Sequence, residues 1–145
     1  MLDRRRFLIS LALVGTAGPM AVAPAAVPTI AFGDLYERQT VFSQRAKDLE
    51  GQTIEMLGFM APPLKAESRF FVLTRMPMSV CPFCETEADW PSDIIVVYTE
   101  DPISVVPFNF PIRVTGTLEL GTTKDPEMGF VSRVRLQNAD FERVG

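Results

Sequence analysis

The clearest pattern of apolar and polar positions runs from Ile112 to Leu120. Ile112, Val114, Gly116, Leu118 and Leu120 fall on one side, and Arg113, Thr115, Thr117 and Glu119 on the other. That period of two is the signature of a half-buried antiparallel strand. After a turn or loop over Gly121–Gly129, Phe130, Ser132, Val134 and Leu136 repeat the alternation as a return strand. A shift of pattern near Asn138 brings Ala139 and Phe141 back onto its inner side. Phe70–Leu73 and Ile94–Tyr98 are short, wholly apolar strands, the second bounded by Pro91 and Pro102. Thr53–Ala61 is apolar on both faces and broken by Gly58, which predicts a bent or bulged strand. Before it, Leu35, Phe42 and Leu49 recur every seven residues, with Val41, Arg45 and Ala46 between them. This spacing predicts a helix over Leu35–Leu49, capped by Asp34 with Glu37 and ended by a left-handed Gly51.

One N-terminal helix and five short strands without βαβ spacing predict a mainly β domain. A five-stranded OB-like barrel fits best, with Gly58 supplying a bend and Gly116 a close backbone approach. A two-sheet β-sandwich is the alternative. The 145 residues divide into residues 1–28, a removable export signal, and residues 29–145, a single domain of a length that folds on its own. In the signal, Asp3-Arg4-Arg5-Arg6-Phe7-Leu8 precedes an apolar run from Phe7 to Gly15, too short to span a bilayer. Arg4 and Arg5, followed by Phe7-Leu8, resemble a twin-arginine export motif, with Asp3 where that motif has Ser or Thr. The expected location is the periplasm, with no membrane span in the mature protein.

The formal net charge is −4. Loss of Arg4, Arg5, Arg6 and Asp3 removes three positive charges and one negative and leaves −6. No basic stripe remains, which argues against a nucleic-acid partner. Histidine is absent, so His-based acid–base catalysis, Cys–His and Ser–His pairs and His-ligated metal sites are excluded.

The chemistry that remains is concentrated in Met76-Pro77-Met78-Ser79-Val80-Cys81-Pro82-Phe83-Cys84, which holds both cysteines. Soft thiolate and thioether donors select Cu(I), so Met76, Met78, Cys81 and Cys84 form a candidate copper site. Zinc would need further ligands from Glu85, Glu87, Asp89 or a second subunit. Alternatively Cys81 and Cys84 close a disulfide, whose four-residue loop stabilises by only about 2 kcal/mol. A third reading is thiol–disulfide exchange through Cys81. Cys-Pro-Phe-Cys is similar to thioredoxin-like active sites, yet Trp90-Pro91 stops any helix that would lower the thiol pKa. Trp90 itself is expected to cover an end of the barrel.

From Leu49 onward the chain resembles a family of small exported bacterial proteins of unassigned function. The resemblance rests on Leu49-Glu50-Gly51-Gln52-Thr53-Ile54, Gly58-Phe59-Met60-Ala61-Pro62, Phe71-Val72-Leu73-Thr74, Cys81-Pro82-Phe83-Cys84, Trp90-Pro91 and Val114-Thr115-Gly116-Thr117-Leu118. It implies an OB-like fold, export, and an association with ABC transporters, and it carries over no catalytic residue. The expected protein is a non-enzymatic periplasmic binding or accessory domain. Its Met76–Cys84 loop would hold copper, less readily zinc, or engage an ABC transporter or other envelope complex.

Overall fold

A computed structural model describes residues 15–16, 18–19, 26–38, 40–63, 67–79 and 92–145 of the chain. The proposed export arginines Arg4 and Arg5 lie outside the described residues, as do Cys81, Cys84 and Trp90. Among the described residues there are two sheets and one six-residue α-helix. No helix among them is long and apolar enough to cross a membrane.

The helix predicted over Leu35–Leu49 forms only at its end. Phe32–Asp34 is a single 3-10 turn, and Tyr36–Arg38 (β1) pairs antiparallel with Val41–Phe42 (β2). Only Gln44–Leu49 (α1) is helical. The seven-residue recurrence misled because Leu35, Phe42 and Leu49 are drawn to the core by three separate elements. Tyr36 stacks on Phe42 at 5.2 Å, with the Arg133 guanidinium 4.8 Å from the Phe42 ring centre. These contacts favour a hairpin over helix for residues with aromatic and β-branched side chains. The helix cap is Ser43 rather than Asp34: its hydroxyl accepts from Ala46 N–H at 3.1 Å and donates to the Asp34 carbonyl. Asp34 instead accepts from Ala31 N–H at 3.2 Å. Gly51 takes its expected left-handed conformation, with φ of 80°.

The five predicted strands are Thr53–Met60 (β3), Phe70–Thr74 (β4), Ile94–Tyr98 (β5), Pro111–Lys124 (β6) and Val131–Arg143 (β7). They lie in one ring, ordered β3-β4-β5-β7-β6 with β6 returning to β3, which makes a closed barrel. The sandwich alternative would have split them between two sheets. All neighbours are antiparallel except β5 and β7, which run parallel from Val96↔Arg135 to Val97↔Leu136.

The interior is filled by Ile54, Met56, Phe71, Leu73, Ile95, Val97, Ile112, Val114, Leu118, Val134 and Leu136. Burying each such side chain stabilises by about 1.5–3 kcal/mol, and this is what holds the ring together. β4 is buried along its whole length and β5 up to Tyr98, as their unbroken apolar sequences require. β3, in contrast, alternates. Ile54, Met56 and Met60 are buried, Leu57 is 49% exposed, and its register against β6 is continuous from Thr53↔Thr117 to Phe59↔Pro111.

β3 is therefore not bulged, and Gly58 has a different task. A Cβ there would lie 2.6 Å from the Thr74 carbonyl oxygen and 2.9 Å from Leu73 Cγ, so the glycine lets β4 approach. The bulge falls on β7, where Asn138 and Ala139 together oppose Gly116 and Asn138 takes φ of 48°. Gly116 makes the expected close approach, since a Cβ would meet Ala139 Cβ and the Gln137 carbonyl oxygen at 3.0 Å. β6 also continues past Leu120, through a second irregularity at Gly121, so the turn is confined to Asp125–Gly129.

Candidate functional site

The Met- and Cys-bearing stretch connects β4 to β5. Its base is fixed: Arg75 N–H donates to the Asp93 carbonyl at 2.9 Å. The fully buried Thr74 hydroxyl lies 2.7 Å from the Met76 carbonyl oxygen and 3.2 Å from that of Phe59. From this anchor the chain turns outward. Met76 is 61% exposed and Met78 half-buried, so neither fills the core as Met56 and Met60 do. The structure thus brings the two thioethers to one rim of the barrel, while Cys81 and Cys84 lie outside the described residues. Among the described residues no group of three or more His, Cys, Asp or Glu side chains is placed to hold a metal ion.

A second site lies elsewhere, on the outer face of β5, β6 and β7. There the Glu67–Phe70 segment and the Asp125–Gly129 turn flank a cleft of about 830 Å³, within the range of small-ligand sites. Alternation sends Glu119, Arg135 and Gln137 outward into it. Arg135 is nevertheless 4% exposed, with two of its guanidinium nitrogens held by local acceptors. Nε donates to Glu119 Oε2 at 3.0 Å, and Nη1 lies 2.9 Å from the Gly121 carbonyl and 3.0 Å from Ser132 Oγ. Gln137 Nε2 donates to the same Glu119 oxygen at 3.1 Å. A buried guanidinium needs such partners to offset its lost hydration.

The far wall carries a second polar pair. Tyr98 donates its hydroxyl to Asp125 Oδ2 at 2.8 Å, and Asp125 Oδ1 accepts from the N–H groups of Glu127 and Met128 at 2.9 and 2.7 Å. Burial, then the hydrogen bond to Asp125, pushes the Tyr98 phenol well above its ordinary pKa. Burial alone would raise the Asp125 carboxyl, but the Met128, Tyr98 and Glu127 donors outweigh it and hold the group below the usual carboxylate value. The walls also include Phe70, Leu120 and Met128. Carboxylates dominate the charge, with Glu50, Glu67, Glu119, Asp125 and Glu127 against Arg69 and Arg135.

Sequence reasoning singled out the Met- and Cys-bearing stretch and missed the cleft. The outward direction of Glu119 was legible from the β6 alternation, as was that of Arg135 from the β7 pattern. Their pairing depends on a β6–β7 register set by two irregularities, and no local motif encodes it.

No family model and no curated protein matches the chain. Among solved structures, it is similar to the crystal structure of a DUF3299 family protein from Pseudomonas aeruginosa PAO1. The two share 15% sequence identity and superpose with a TM-score of 0.50. The match covers 83% of this chain and 97% of the other. At that identity the likeness is one of fold.

Proposed function

We propose that this protein is an exported, non-enzymatic binding domain of OB type that holds a soft metal ion through its β4–β5 loop. The OB reading is supported by the strand order: a meander of three strands, a crossover, and a parallel contact between the third and the last. The observation that carries the metal reading is the placement of Met76. An unbranched thioether 61% exposed, at the foot of a loop fixed on buried Thr74, contributes little to the core and is available as a ligand. Met78, Cys81 and Cys84 complete a set suited to Cu(I) and less suited to Zn(II). Residues 1–28 act as a twin-arginine-like signal, which places the domain in the periplasm. There it serves an envelope assembly such as an ABC transporter.

The test is anaerobic titration of the reduced, exported protein with Cu(I) and with Zn(II). The expected result is one Cu(I) per chain held at least about a thousandfold more tightly than a micromolar contact. Binding is abolished in Cys81→Ser and weakened about tenfold or more in Met76→Ala. Micromolar or weaker Cu(I) binding, unchanged in Cys81→Ser, would refute the proposal.

A further inference from the structure

We infer that the cleft over β5, β6 and β7 takes an extended basic peptide segment, with Glu119 and Arg135 reading one of its peptide groups. The reading is independent of the metal loop. It starts from what the Arg135–Glu119 pair leaves unused. Nε and Nη1 of Arg135 are engaged, while among the described residues Nη2 has no hydrogen-bond partner. The side chain is 95% buried, and it lines the cleft. A guanidinium nitrogen held in this way presents free N–H donors at a fixed place, with little rotamer entropy left to lose on binding.

Across the same ion pair, Glu119 Oε2 accepts from both Arg135 and Gln137, while Oε1 has no partner among the described residues. A free donor and a free acceptor on two side chains joined by one ion pair match the C=O and N–H of a peptide group. A lone cation or a phosphate offers no such complement.

Charge then selects the side chain. Exposed Glu67 and Glu127 stand on the two flanks, and neither carboxylate makes an ion pair among the described residues. They favour Lys or Arg and disfavour acidic segments and nucleic acid. Phe70, Leu120 and Met128 supply apolar wall for the methylene stem of such a residue.

The test is NMR titration of the ¹⁵N-labelled exported protein with acetyl-Gly-Lys-Gly-Lys-Gly-amide, with its Glu counterpart and with spermidine. Amide shifts are expected at Glu67–Phe70, Glu119–Met128 and Arg135–Gln137. The Lys peptide should bind at least about tenfold more tightly than the Glu peptide, and more weakly as salt rises. It should also outbind spermidine by about tenfold, because the polyamine has charge without a peptide group. The double variant Glu67→Gln/Glu127→Gln, altering two exposed side chains, should weaken the Lys peptide about fivefold or more and leave the unfolding temperature unchanged. No shift at millimolar Lys peptide, equal binding of the two peptides, equal binding of spermidine, or shifts confined to the β4–β5 rim would each overturn the inference.

Discussion

Tyr98 and Asp125 each fix the other's charge state. The phenol stays protonated because burial and its carboxylate acceptor both resist ionisation, and the carboxylate stays charged because three donors point at it. The signs follow from linkage. For Tyr98, whose folded pKa is raised, the stabilisation is complete below the unfolded value of about 10 and is lost as pH rises beyond it. For Asp125, whose folded pKa is lowered, it is complete above about pH 4 and is lost as pH falls through the folded value. Tyr36 and Tyr98 are the two tyrosines of the chain, so Tyr36→Phe leaves a single phenol to follow. In that variant, phenolate absorbance is expected to rise only well above pH 10, and adding Asp125→Asn moves the transition back toward the ordinary value. A transition near pH 10 in both proteins would mean that the two side chains are not paired in solution.

Among the elements, β3 shows how a glycine can be misread. Its position in an apolar run suggested a bulge. The structure instead keeps β3 regular and uses Gly58 to admit the β4 backbone. Gly58→Ala must push against a carbonyl oxygen 2.6 Å away and is expected to cost about 1–3 kcal/mol in urea unfolding. Gly33→Ala, where a Cβ meets nothing within 4 Å, is the control and should change little.

The same contrast marks what the sequence could reveal. Strict alternation in β6 and wholly apolar β4 and β5 announced themselves, because burial on one face or two writes a pattern that no other element shares. Even the offset at Asn138 was visible as a slip in that pattern. The hairpin before α1 was not, because a two-residue strand carries no period and Ser43 competes with Asp34 as a cap. The burial of Arg135 was hidden for another reason. It depends on Glu119, Gly121 and Ser132, which come together only once β6 and β7 are in register.

For the whole molecule, β7 is the strand on which closure depends, since it pairs with β6 along most of its length and with β5 through Arg135 and Leu136. Leu136 sits at that junction, fully buried and opposite Val97. Leu136→Ala is expected to cost about 2–5 kcal/mol, measured by equilibrium denaturation, and to do so without shifting the Tyr98 titration. A loss under about 1 kcal/mol would show that the junction is not part of the cooperative core.

The parallel contact between β5 and β7 has a consequence in time as well as in space. Residues 94–98 find β4 behind them on one edge, but the other edge must wait for a partner some forty positions later, a separation set by Val96↔Arg135. β3 waits still longer, since Thr53 meets Thr117. Loop-closure entropy must therefore be met before the two pairings that close the barrel reward it, which places folding in the slower, millisecond-to-second class of all-β domains. Until residues 131–143 are at hand, β5 has β4 on one side and an open apolar edge on the other, and such an edge is the natural target of a chaperone or of another unfolded chain.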